Sequence, residues 1–130
     1  DVFVAGRKFE YLKERMLGYE ELMKLPVMCL EGNTSTRTYV EQFLASKQVT
    51  IRPEFELATS DMLIQFAVRN LGIASVVRNF AEEHLAEGDL FELRFLEEIP
   101  ARTFCIVANE RIPLSAAAAT LMNVLTQGVP

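Results

Sequence analysis

The sequence predicts a single α/β domain layered around a largely parallel sheet. Apolar runs of four to six residues alternate with longer stretches of helical period along the 130 residues, the pattern of strands and helices stacked in layers. The runs are rich in Val, Ile, Phe and Leu with little apolar/polar alternation, as expected of strands covered on both faces.

Taken in order, the strands fall at residues 2–4, 27–30, 54–57, 73–77, 90–93 and 103–108. Residues 5–18, "AGRKFEYLKERMLG", carry six charges and a weak stripe of Phe9, Leu12 and Met16. That segment reads as a connector, with a turn or two of helix left open. A short helix over 19–25 stops at Pro26, which cannot continue it. Over 35–47, Tyr39, Val40, Phe43 and Leu44 form one stripe, so the helix lies on the surface. Over 60–70 the apolar residues run nearly all round and Gly72 follows, predicting a largely buried helix with a left-handed cap at Gly72. A further helix over 80–85 ends before Gly88, and the last spans 115–127, with Ser115 as its N-cap after Pro113 and a stripe of Ala118, Leu121, Met122 and Leu125.

Composition narrows the functions. Thirteen Lys and Arg against eighteen Asp and Glu leave a net charge of -5, which opposes attraction to a phosphate backbone. Charges interrupt every apolar run before it reaches the roughly 20 residues a bilayer demands. Cys29 and Cys105 each sit within an apolar run and are expected as buried thiols rather than a disulfide. With no signal-peptide pattern, the sequence fits a cytoplasmic protein. It starts at Asp1 directly on an apolar run, and is expected to be a piece of a longer chain.

Two strand-to-helix junctions concentrate short polar side chains. One is Asn33, Thr34, Ser35, Thr36 and Arg37; the other is Thr59 and Ser60, followed by Asp61. The first N–H groups of a helix are unpaired and carry partial positive charge, so they attract either a capping side chain or an anion. A cap needs one residue, and the first junction offers four with an arginine able to grip a carboxylate. In an open α/β sheet such junctions line the crevice where ligands bind. Capping and anion binding both stay open on sequence alone.

Other candidates are thinner. His84 lacks a second ligand at metal-binding spacing and reads as a surface histidine. The pairs Glu82–Glu83 and Glu97–Glu98 are adjacent, and adjacent helical residues do not face each other. No catalytic triad, phosphate loop, metal cluster or cofactor motif is present. The reading is of a non-enzyme without metal or cofactor.

In order and spacing, "LMKLPVMCLEGNTSTRTYVEQF", "PEFELATSDMLIQFAVRNLGIASVV", "LAEGDLFELRF" and "ARTFCIVANERIPLSAAAATLM" resemble the effector-binding (substrate-binding) domain of LysR-type transcriptional regulators. The resemblance implies a type II periplasmic-binding-protein-like fold of two α/β lobes joined by two crossing strands. Residues 1–130 would then be one truncated domain. Residues 19–96 would be the complete second lobe, while 1–6 and 102–130 would be the crossing strands and the remnant, strand and C-terminal helix, of the first. Lobe II contacts of the family map to Thr34, Ser35, Thr36, Thr59 and Ser60, and none is carried to Val77-Arg78-Asn79, where many members have Pro.

The implied function is sensing of a small, anionic metabolite between the lobes of a bacterial regulator. Its partners would be that effector, other copies of the chain as dimer or higher oligomer, and DNA only through an N-terminal domain lying outside this sequence. A solute-binding protein of a transport system with the same two-lobe fold is the alternative.

Overall fold

The computed structural model describes residues 1–128. Among them, β1 (Val2–Ala5), β3 (Val27–Leu30) and β5 (Ile73–Val76) form the centre of a five-stranded sheet, flanked by β4 (Phe55–Leu57) and β6 (Phe91–Glu92) in the order β4-β3-β5-β1-β6. The three central strands are buried on both faces because their residues alternate between two apolar layers. Phe3, Ala5, Val27, Cys29 and Ile73 join one layer; Val4, Met28, Leu30, Ala74 and Val76 join the other. Helix α1 (Ser35–Ser46) packs Val40 and Leu44 on the first layer. Helices α2 (Ser60–Val68) and α3 (Arg78–Glu87) supply Leu63, Ile64, Ala67 and Ala81 to the second.

The sheet is largely parallel, as expected, with one inner strand reversed. β3 runs parallel to β4 and β5, but β1 is antiparallel to both β5 and β6. A doubly covered strand reads as a continuous apolar run in either direction, so composition could not reveal the reversal. A separate two-stranded parallel ribbon pairs β2 (Met16–Leu17) with β7 (Arg94–Phe95). The connector between β1 and β2 folds in part as a 3-10 helix over Arg7–Leu12, burying Phe9 and Leu12, and a second 3-10 helix spans Tyr19–Lys24. Tyr19 then stacks on Phe95 at 4.2 Å between ring centres and meets Phe43 edge-on at 5.1 Å, closing the ribbon against α1.

Several expectations fail for identifiable reasons. Residues 103–108 form no strand among the described residues. Phe104 and Val107 stand 90% and 92% exposed, and an extended segment without a neighbouring strand has no ladder to join. Cys105 in the same segment is exposed, whereas Cys29 is buried. Helix α2 is buried on one face only, since Met62 is exposed and Phe66 and Val68 are half-buried. Its left-handed residue is Asn70, at φ 62°, and not Gly72. Gly72 has a different reason to lack a side chain: a Cβ there would lie 2.6 Å from the Pro26 carbonyl oxygen. Helix α3 starts earlier than expected and ends at Gly88, φ 83°, as the sequence suggests. Helix α4 (Ala116–Gln127) is capped by Ser115, whose hydroxyl accepts from the Ala118 N–H at 3.2 Å. It buries no residue, leaving Leu121 and Leu125 exposed.

Candidate functional site

Three parallel strands end at one edge of the sheet, and each runs into a helix. β3 leads through 31–34 to α1, β4 through 58–59 to α2, and β5 through Val77 to α3. Leu30 and Leu57 are register partners, so the two polar junctions leave the sheet from facing residues about 5 Å apart, the ordinary strand spacing. A backbone hydrogen bond from Glu31 N–H to Leu57 C=O, 3.1 Å, ties the roots together. Because β1 runs the other way, with Val2 opposite Val76, Asp1 reaches this same edge.

One residue caps each helix. The Thr34 hydroxyl accepts from the Arg37 N–H at 3.2 Å and donates to the Glu31 carbonyl at 3.0 Å. The Thr59 hydroxyl accepts from the Met62 N–H at 3.2 Å. Capping therefore occupies Thr34 and Thr59 and leaves the hydroxyls of Ser35 and Ser60, the first helical residues, without a side-chain hydrogen bond to the described residues. Ser35 is exposed, Ser60 half-buried, and Asn33 exposed in the turn before them. Thr36, half-buried, accepts from Arg102 Nη2 at 3.1 Å. Arg37 turns inward: its guanidinium donates to the Leu30 carbonyl at 2.8 Å, to Glu41 at 2.5 Å and to Glu56 at 3.0 Å. It grips carboxylates as its chemistry suggests, but they are the chain's own: Glu41 lies on α1 itself, while Glu56 and the Leu30 carbonyl tie α1 to β4 and β3. Below it, burial pushes the Cys29 thiol up to about 11, against a weaker opposing pull from Arg37.

Beside the junctions a cleft of about 940 Å³ opens along β1, β6 and β7, lined by Asp1, Arg78, Asn79, Glu92, Phe95 and Arg102 among others. Its charges are largely paired. Arg102 grips Asp1 with Nε and Nη2, each at 2.7 Å from a carboxylate oxygen, and Arg78 meets Glu92 at 3.1 Å. The void directly between α1 and β3 is about 10 Å³, room for one water at most. Sequence reasoning missed Asp1 and Arg102, whose pairing spans 101 positions, and gave no role to Val77, Arg78 and Asn79, which line the cleft. Neither carries a local signal; only the reversed strand brings Asp1 to the edge.

His84 is better partnered than its sequence neighbours suggest. Its Nδ1 lies 3.2 Å from Asp89 beyond the αL turn at Gly88, with Glu87 alongside. These groups sit at the exposed end of α3, away from the polar junctions. Among the described residues no helix is long and apolar enough to cross a membrane.

The profile of the LysR substrate binding domain matches residues 2–130. The HTH-type transcriptional activator CmpR of Synechocystis sp. is 27% identical over 73 residues, covering 56% of this chain and 24% of its own length. A solved LysR family transcriptional regulator superimposes with a TM-score of 0.55 at 25% identity, over 71% of this chain and 28% of the other. The regulatory domain of CcmR from Synechocystis PCC6803, solved in complex with 2-PG, does so with a TM-score of 0.74 at 17% identity, over 97% of this chain and 61% of its own. The chain thus spans about a quarter of the curated relative it matches. The sheet and its helices share the fold of these regulatory domains, and the chain belongs to the LysR substrate-binding domain family.

Proposed function

We propose that this chain is the effector-sensing part of a LysR-family transcriptional regulator and that its effector is a small anion held at the starts of α1 and α2. The observation that carries the reading is the pair of polar helix starts rooted on facing residues, Leu30 and Leu57. At each, one threonine satisfies the helix and the next serine is left over. Ser35, Thr36 and Ser60 supply the contacts, with Asn33 and Thr59 at the rim. Arg37 serves by fixing α1 rather than by touching ligand. Residues 19–96 act as one lobe, and 1–6 with 102–130 belong to the connections and the facing lobe. The uncovered apolar side chains from Phe104 to Leu125 support that division, since such a surface ordinarily meets a partner.

Regulation follows if the effector binds one arrangement of the lobes better than another and so shifts the oligomer that positions the DNA-binding domains. The chain's charge of -5 supports placing DNA contact in a separate domain. No catalytic step is involved.

The test uses the complete regulator with 2-PG, the molecule seen with CcmR, as first probe, followed by other small carboxylates and phosphates. Ser35→Ala with Ser60→Ala should weaken the probe's effect on DNA binding by about tenfold or more, the order expected for losing two hydrogen bonds to a charged group. An unchanged response would remove both serines from the site.

A further inference from the structure

Among the described residues, Thr36 is the one hydroxyl proposed as a contact that is held by a side chain from outside its own helix, and the holder is Arg102. The Arg102 guanidinium is fixed from several directions. Nε and Nη2 fork onto Asp1, whose side chain is 1% exposed; Nη2 also reaches Thr36; and the group lies 5.2 Å over the Tyr39 ring. The Tyr39 hydroxyl in turn donates to the Pro100 carbonyl at 2.8 Å, securing the chain two residues before Arg102. A bidentate guanidinium in such a frame has little freedom to turn.

Arginine carries only donors, so at this contact the Thr36 oxygen must accept. Its hydroxyl hydrogen has no acceptor among the described residues. Thr34 contrasts with it, being both donor and acceptor within the chain. Thr59 resembles Thr36, since it accepts from a backbone N–H and its own hydrogen has no acceptor among the described residues. Both helix starts therefore present O–H donors of the same sense. We propose that Arg102 is a positioning residue that orients Thr36 as a donor, so that the site favours ligands presenting acceptors, carboxylates or phosphates, over charged amines, which present donors only. This inference rests on the site reading above, and names the residue that sets its polarity.

The test takes the complete regulator and the variants Thr36→Val, Arg102→Lys and their combination. Lysine keeps a cation opposite Asp1, so the fold is retained, but a point charge cannot fork onto Asp1 and reach Thr36 together. Calorimetric titration with 2-PG should show each single variant weakened by about tenfold and the double variant no weaker than either, because Arg102 acts through Thr36. Losses that multiply, or an Arg102→Lys variant that binds normally, would overturn the proposal. A ligand-free measurement separates it from the site reading. Rotation about the Arg102 Cζ–Nε bond, followed by NMR, should be several-fold faster in Thr36→Val than in the unaltered regulator, and equal rates also overturn it. Absence of 2-PG binding by the unaltered regulator with the rotation effect present refutes the proposed donor role towards this anion, while leaving the Arg102–Thr36 contact established.

Discussion

At the scale of single residues, the two cysteines separate by burial rather than by sequence context. Both sit in runs of similar hydrophobicity, yet Cys29 faces the core from β3 while Cys105 lies in an exposed segment. A thiol reagent such as Ellman's should therefore modify Cys105 rapidly in the native chain and Cys29 only on unfolding, giving one reactive thiol before denaturant and two after. Burial also raises the Cys29 thiol to about 11 and the Tyr19 phenol to about 12, the latter with help from Glu97 and Glu98. In both cases the folded protein favours the protonated form. Their contribution to stability is complete below the ordinary values of 9.0 and 10.0 and is lost as pH rises through about 11 and 12. Urea midpoints measured from pH 8 to 11 should fall above pH 9, and Cys29→Ala should flatten the fall while lowering the midpoint at pH 8.

At the scale of elements, most of the fold was legible because it rests on local rules. The stripe of Val40 and Leu44 marked α1, and the apolar runs marked β1, β3 and β5 within a residue of their ends. Capping chemistry was legible too, but not which residue does it: Thr34 and Thr59 cap, and the neighbouring serines do not. What escaped was set by distant partners. The run at 103–108 has strand composition without a strand to pair with, and Gly72 is small because Pro26 passes close by. Gly72→Ala should accordingly cost about 1–3 kcal/mol, as forced overpacking does, measurable by urea unfolding. Thr59→Ala should cost about 0.5–2 kcal/mol through loss of the cap alone.

At the scale of the whole molecule, stability is uneven. Helix α2 packs Leu63, Ile64 and Ala67 into the second apolar layer, whereas α4 buries nothing. Amides of α4 should exchange with solvent at least roughly 100-fold faster than those of α2, since exchange follows local packing; hydrogen exchange read by mass spectrometry checks this. The site shares that unevenness. The two helix starts stand on adjacent strands of the sheet, while the tie from α1 to the segment around Arg102 depends on the contacts of Thr36 and Tyr39.

The reversed position of β1 also bears on how the chain is made. Of the five strands in this sheet, the first to leave the ribosome is the inner one between β5 and β6, and Val2 waits for Val76, 74 residues later. At cellular synthesis rates that is roughly 4 to 15 s during which "VFVA" has no ladder to join. Until β5 emerges, this apolar segment is open to a holding chaperone.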